Sequence, residues 1–414
     1  MKTVAIVWEL GSDFGHVARA LVMAEGLRAR GLRPVLVLRD TSRVLDMFGP
    51  FGLGSGVASC AGDDAAIEFT QAPLWLAPRK GLPDALNFTE TLFLFGFLSP
   101  AGLLSVVQAW RNLFRLIAPD LLVFDSAPTA MLAARGLGIP SLVTGNSFAV
   151  PPQVSPLPPY EQSSGVAVPG PRELETEARC VRNANEVLMA LGAPPIEHVC
   201  ELFAAEETLI AGTPELDVYG RGMPERFIGP IGILDKGCAP VWPSVRRRRI
   251  FAYLKAHSPN LDDMLAALAR LDAATLVVAP GLSSRQTQSF TRPNLRFAQQ
   301  ALRMDCVREE CDLAVGHGGA GMVDLILGAG KPLVLLPLQM EQVMTSRRVA
   351  EAGCGAWVTA TQSSVAFDRV LSYVLEGPEF ARQARAYAAR NAMYSERDAL
   401  ERFVTACERL IVPS

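Results

Sequence analysis

Short apolar runs, each followed by a loop and then a helical pattern, recur along the whole chain and limit its fold more than any other feature. Val4 to Trp8 reads as a buried strand, Gly11 to Gly15 as a loop, and His16 to Arg30 as a helix that Gly31 stops. Pro34 to Leu38 is the next strand. Leu121 to Phe124 is another, followed by a helix at Pro128 to Leu137 and a strand at Ser141 to Thr144. The second half repeats the alternation. Strands fall at Arg249 to Leu254, Thr275 to Ala279, Leu295 to Ala298, Asp312 to Gly316 and Leu333 to Leu336. Helices fall at Leu261 to Leu271, after Gly316 as far as Leu327, and at Gln342 to Ala352, and the tail from Pro378 to Leu410 is helical. Apolar strands separated by helices predict an α/β chain whose parallel sheets are covered on both faces. The Pro- and Gly-rich stretch Pro224 to Pro243 reads as a linker between two Rossmann-like domains, residues 1–223 and 244–395, with residues 396–414 as a terminal helix. Open parallel sheets bind ligands beyond the carboxyl ends of their strands, so two such domains are expected to face one another across a cleft that holds the site.

Composition narrows the function. With 50% hydrophobic and 20% charged residues, the chain is not disordered. A net charge of -3 leaves no basic field for a polyanion, so nucleic acid is not expected as a partner. The 8 cysteines, Cys60 among them, form no C-x-x-C pair, which argues against a disulfide framework or a zinc site. The opening Met1 to Val7 is a strand pattern without a signal-peptide cleavage site, and the plain expectation is a cytoplasmic enzyme. Thr91 to Trp110 is uncharged and long enough to span a bilayer. It contains Gly96, Pro100 and Gly102, however, and Leu98-Ser99-Pro100 reads as a break between two buried helices or walls of a greasy pocket.

The loops after strands are where chemistry is expected. The first runs from Glu9 to His16 and lacks the G-x-G-x-x-G spacing of a dinucleotide site. Its glycines, Gly11 and Gly15, allow close backbone approach, and His16 is either a helix cap or an imidazole base. Asp125 ends a strand of the same sheet. It is either the carboxylate that orients His16 or an N-cap of the following helix. The second loop, Gly316-His317-Gly318-Gly319-Ala320-Gly321, opens a helix. Its amides and the helix dipole make a phosphate cradle without the lysine of a P-loop, or else the glycines simply serve a tight turn. The third, Pro337 to Gln342, sets Glu341 beside Gln342, a pairing that suits a polyol but also plain solvated surface. His257 follows the first strand of the second half, while His198 has no such placement and reads as structural. Arg246 to Arg249 reads as a solvated approach to a strand, with a phosphate or anionic membrane as the alternative. No D-x-D motif occurs, and no metal ligands are assigned.

Taken in order, these residues resemble the GT-B glycosyltransferases, specifically the family 1 enzymes that use nucleotide sugars on small lipophilic acceptors. The likeness is carried by Gly15-His16-Val17-Ala18-Arg19, by Pro119 to Asp125 with Ala133 to Pro140, by Phe227-Ile228-Gly229-Pro230, and most strongly by Asp312 to Gly355. It implies an acceptor-binding domain at 1–223, a donor-binding domain at 244–395, and a terminal helix that packs back on the first domain. It implies His16 as the base that deprotonates an acceptor hydroxyl, with Asp125 as its partner. It further implies a donor site built from Gly15, His257, Ser258, Phe297, His317, Gly318, Gly319, Ala320, Gly321, Met322, Asp324, Glu341 and Gln342. Within it His317 and the loop amides hold the diphosphate, and Glu341 and Gln342 hold the sugar hydroxyls. The nucleotide sugar is then a co-substrate, uridine-linked by preference and thymidine-linked as the second choice, and no cofactor is called for. The acceptor is a lipophilic small molecule or lipid met at a peripheral membrane contact on the inner face. Four places depart from the family pattern: the first strand of the second half ends in Ala256-His257-Ser258 rather than in a small Gly-Ser turn, and three single positions differ. Met322 replaces a Ser or Thr, Leu325 replaces the ribose-binding acid with Asp324 one place early, and Gln299 replaces the base-stacking Trp, with Phe297 nearby. A nucleotide-sugar epimerase and a non-catalytic nucleotide-sugar-binding homologue are the alternatives.

Overall fold

The computed structural model describes residues 1–11, 14–42, 44, 67–77, 81–161, 169–232, 237–245, 247–359 and 366–411. Ser12, Asp13, Cys60, Arg246 and residues 233–236 of the Pro- and Gly-rich stretch read above lie outside the described residues.

The chain divides into two compact units. The first contains a seven-stranded sheet of β1 (Thr3–Trp8), β2 (Arg33–Leu38), β3 (Glu68–Gln71), β4 (Leu121–Asp125), β5 (Ser141–Gly145), β6 (Glu207–Ala211) and β7 (Phe227–Gly229) in the order β3-β2-β1-β4-β5-β6-β7. Every pairing is parallel. Strand order reverses between β1 and β4, and there the register sets Trp8, the last residue of β1, beside Asp125, the last residue of β4. Both strands are buried along their whole length, as expected of a parallel sheet with helices on each face.

The second unit repeats the plan. Its strands are β8 (Arg248–Tyr253), β9 (Ala273–Val278), β10 (Leu295–Phe297), β11 (Leu313–Gly316), β12 (Leu333–Leu335) and β13 (Gly355–Trp357), in the order β10-β9-β8-β11-β12-β13 and again all parallel. The reversal falls between β8 and β11. Apolar residues fill both faces of this sheet, with Ile250, Ala252, Leu313 and Val315 on one side and Phe251, Ala314, Leu333 and Leu335 on the other.

The units do not divide at 223 and 244. Gly212–Gly220 belongs to the second unit and Arg221–Ile231 to the first. Thr213 and Tyr387 share a 2.6 Å hydroxyl hydrogen bond, Glu215 accepts from Arg390 and Asn391, and Leu216 enters the second unit's core. The stretch read as a linker contains β7, whose Phe227 and Ile228 are buried. Three residues carry no period, so Pro and Gly on either side hid the strand. The strands β3, β6 and β13 likewise gave no signal. Arg397–Ser414 belongs to the first unit. Its helix Glu396–Ile411 lays Leu400 and Val404 on Gly26, where a Cβ would come within 2.8 Å of Leu400, and Arg30 pairs with Glu401 and Glu408.

Thr91 to Trp110 is split between the helices Phe88–Phe93 and Pro100–Ile117. Among the described residues no helix is long and apolar enough to cross a membrane. The Trp75 ring lies in the notch left by Gly96 and Gly102, where Cβ atoms would come within 2.8 and 2.5 Å of it. Arg247 and Arg249 pair with Asp272 and Glu310, and Arg249 lies over the Trp242 ring, so two members of the arginine run have partners of their own.

Candidate active site

The reversal point of the first sheet gathers a histidine, two acids and an indole. The helix Phe14–Ala29 begins beyond β1, and its first turns carry His16 and Arg19, three residues apart and so on one face. His16 Nδ1 lies 3.2 Å from Asp125 Oδ2, and Arg19 Nε lies 3.7 Å from the same oxygen. A carboxylate only accepts, so Nδ1 carries the ring hydrogen and Nε2 of the neutral ring carries a lone pair. Trp8 stacks on the imidazole, with ring centroids 5.0 Å apart and planes 12° from parallel. Nε2 faces the bare backbone of Gly11, where a Cβ would stand 2.6 Å away, and the Gly11 φ of 97° is one that side-chain-bearing residues rarely adopt.

Asp125 is wholly buried, which opposes its ionisation. The charges of Arg19 and His16, with hydrogen bonds from His16 and Ser126, outweigh burial and hold the carboxyl below its usual range. Its other oxygen, Oδ1, lies buried without a hydrogen-bond partner, next to Gly145, where a Cβ would come within 2.9 Å of it. Glu9, one residue past β1, is also fully buried. Burial pushes its carboxyl up to about 7 against the hydrogen bonds of Thr129, the Ala130 amide and the charge of Arg39. Nothing in the sequence marked Glu9 out: an acid in a loop reads as solvated until the strand beside it is placed.

The reversal point of the second sheet also holds a histidine. His317, just past β11, has its Nδ1 2.8 Å from the Leu336 carbonyl oxygen, and Nε2 accepts from the Lys255 amide at 2.9 Å. Both partners have fixed polarity, so the ring is neutral and its one N–H is spent on Leu336. His317 therefore joins the ends of β8, β11 and β12. Gly318, with φ 81°, packs where a Cβ would come within 2.6 Å of Ser346 Oγ. Gly319 caps the helix Ala320–Gly328 with open space where its Cβ would be, and the first amides of a helix have no partner within it. Met322 folds back on Gly316, its Sδ 2.6 Å from where a Cβ would stand. Gln342 is buried, and its Oε1 accepts from the Leu338 amide at 2.8 Å.

Residues 262–405 match the model of the Erythromycin biosynthesis protein CIII-like C-terminal domain. The chain is 25% identical over 317 residues to a PGL/p-HBAD biosynthesis glycosyltransferase of Mycobacterium tuberculosis, covering 70% of this chain and 71% of that one. In fold it is similar to the glycotransferase of kitacinnamycin, with a TM-score of 0.66 at 19% identity over 100% of this chain and 99% of the other. It is as similar to the spinosyn rhamnosyltransferase SpnG complexed with thymidine diphosphate, with a TM-score of 0.66 at 16% identity over 98% and 100% of the two chains. Together these likenesses support a family 1 nucleotide-sugar glycosyltransferase with the GT-B fold.

Within this glycosyltransferase the expected pair His16 and Asp125 is brought together. The donor-side residues fare unevenly. Gly15 is exposed with open space around it, and Gly319, Ala320 and Gly321 form the open first turn of their helix. His257 is exposed and Ser258 buried in the loop after β8. Phe297 is corrected: strand alternation turns Leu295 and Phe297 inward and Arg296 outward, so Phe297 is core and shows no face to a base. Asp324 sets its carboxylate oxygens 3.7 and 3.8 Å from where a Cβ on Gly212 would stand, and Leu325, at the acid's usual place, is buried. Glu341 is the second residue of the helix Met340–Glu351, and its carbonyl accepts from the Thr345 hydroxyl. His317 and the Gln342 oxygen are held within the fold rather than presented outward. Among the described residues no group of three His, Cys, Asp or Glu side chains is placed to share a metal ion.

Proposed function

We propose that this glycosyltransferase moves a sugar from a thymidine diphosphate sugar to a hydroxyl of a lipophilic acceptor, with inversion at the anomeric carbon and His16 as the base. The observation that carries the reading is the buried His16–Asp125 pair with Nε2 turned toward Gly11. The acceptor oxygen attacks the anomeric carbon as its proton passes to His16 Nε2. The bond from that carbon to the β-phosphate oxygen breaks, and the nucleoside diphosphate leaves with the electron pair. The imidazolium formed is stabilised by Asp125. The amides at Gly319 to Met322 are the groups offered to the charge that grows on the diphosphate.

Thymidine is preferred over uridine because SpnG, so similar in fold, is named in complex with thymidine diphosphate. A lipophilic acceptor is supported by the apolar residues around the helices Phe88–Phe93 and Pro100–Ile117 and by the aromatic group of Phe88, Phe148 and Tyr160 in the same unit. The test is incubation with thymidine and uridine diphosphate glucose and rhamnose and a panel of phenols and sterols. The anomeric configuration of any product is then read by NMR. Inverted product that disappears in His16→Ala supports the reading. Tight nucleotide binding with neither transfer nor donor hydrolysis would instead support a non-catalytic homologue.

A further inference from the structure

A fully buried carboxyl is costly in a turn that needs no charge, and the Glu9 turn has main-chain bonds enough without it. Leu10 donates to the Ser126 carbonyl at 2.7 Å, Arg39 Nη1 donates to the Glu9 carbonyl at 2.7 Å, and Trp8 Nε1 donates to the Leu10 carbonyl at 2.6 Å. The carboxyl adds one thing. Its Oε2 accepts from the Thr129 amide at 2.9 Å and its Oε1 from the Thr129 hydroxyl at 2.7 Å. Trp110 Nε1 donates to that hydroxyl at 2.9 Å and so turns the hydroxyl hydrogen toward Glu9. Thr129 stands in the first turn of the helix Pro128–Ala134, four residues after Asp125, and Glu9 follows Trp8, on which His16 stacks.

From these contacts we infer that Glu9 is a positioning residue: clasped to Thr129, it ties the turn after β1 to the turn after β4 and keeps Asp125 within reach of His16. The clasp matters because the His16–Asp125 separation of 3.2 Å is already at the long end for such a bond, so a slip of a few tenths of an ångström loses it. Glu9 touches no reacting atom. Its effect passes through the tautomer and orientation of His16. The inference rests on the reading of His16 as the base, and its test is built to separate the two.

The experiment uses the full chain labelled with ¹⁵N-histidine, in which only His16, His198, His257 and His317 contribute signals. Ring ¹H–¹⁵N correlations report which nitrogen of His16 carries hydrogen, and His317, held by Leu336 and Lys255, reports that the fold is intact. Glu9→Gln and the near-isosteric Thr129→Val should both shift His16 from the Nδ1–H form toward a mixture while His317 stays unchanged. Thr129→Ser, which keeps the hydroxyl, should keep the wild-type spectrum. With thymidine diphosphate glucose and phenol acceptors, kcat should fall about tenfold in the first two variants at an unchanged donor KM, and Thr129→Ser should restore it. An unmoved His16 tautomer in both folded variants overturns the clasp, even where His16→Ala abolishes transfer and the base reading stands. A shifted tautomer in a protein whose wild type transfers no sugar upholds the clasp and sinks the base reading.

Discussion

The two sheets share one strand order, and each puts a histidine at the point where that order reverses, yet the two rings are held in opposite ways. In the first unit the histidine follows the opening strand and its partner, Asp125, ends the strand across the reversal. In the second the histidine follows β11, and its partner, the Lys255 amide, follows the opening strand β8. His16 uses Nδ1 on a carboxylate and turns Nε2 to a glycine gap. His317 uses both nitrogens on main chain. One ring can take up a proton without breaking a hydrogen bond, and the other would have to surrender its bond from Lys255. The same topology thus leaves one ring nitrogen of His16 turned to a glycine gap where a side-chain acid is the neighbour, and makes His317 a brace where the neighbours are peptide groups.

The sharpest way to break this comparison is to remove the first ring. His16→Ala should lower transfer by about 10²–10⁴-fold while leaving nucleotide affinity near wild type. Calorimetry beside initial rates checks both, and substantial surviving turnover would show that the base lies elsewhere. Gly11→Ala asks the same question from the other side. The new Cβ would stand 2.6 Å from Nε2 at a φ of 97°. Strain of about 1–3 kcal/mol and a blocked nitrogen should together cut rate on the order of 100-fold. Unchanged kinetics would mean that Nε2 is not the working atom.

The buried acids give the first unit a pH signature. The Glu9 carboxyl is raised from 4.5 to about 7, so the folded chain holds that proton more tightly than the unfolded chain. Its stabilising contribution is complete below pH 4.5 and is lost as pH climbs through about 7. Glu9→Gln should remove up to about 3 kcal/mol of that pH-dependent fall. Urea melts between pH 5 and 8 would show it, and parallel slopes in the two proteins would refute the assignment. Asp125 has the opposite sign: its carboxyl is held low, so its contribution fades only as pH drops beneath the usual carboxylate range.

Removing the second ring should act on stability rather than chemistry. His317→Ala leaves the Lys255 amide and the Leu336 carbonyl without their partner. A cost of about 1–3 kcal/mol is expected, seen as a lower Tm that His16→Ala does not share. A thermal melt unchanged from wild type would return His317 to the list of diphosphate ligands.

The first unit's histidine and acid were legible in the sequence because apolar runs mark strand ends and the helices that follow them: Asp125 ends β4, and His16 lies in the first turn of the helix after β1. The same logic found the glycine turn after β11. What it missed depends on direction rather than position. The packing of Phe297 into the core, the backward fold of Met322 and the polarity of the partners of His317 are tertiary facts. Short strands such as β7 and β13 were lost because glycine breaks into their apolar runs, β7 ending on Gly229 and β13 beginning on Gly355. Glu9 was invisible because its burial comes from the helix that starts at Pro128, more than a hundred residues away.

Met322 offers the smallest and most specific test of how the two reversal points differ. Its side chain lies over Gly316 and packs against the second core, at the position where the family resemblance implies a Ser or Thr hydroxyl. Met322→Thr should return a donor to the first turn of the helix beside the open amides at Gly319 to Gly321. One added hydrogen bond to a charged oxygen, worth about 1 kcal/mol net, corresponds to a roughly fivefold tighter Kd for thymidine diphosphate. The lost thioether packing should lower Tm at the same time, because part of the contact with Gly316 goes with it. Both changes together would mean that this glycosyltransferase carries Met322 for packing and holds its donor through main-chain amides. Lower stability without any gain in affinity would mean that the diphosphate does not meet this turn at all, and the donor site would have to be sought at another strand end of the second sheet.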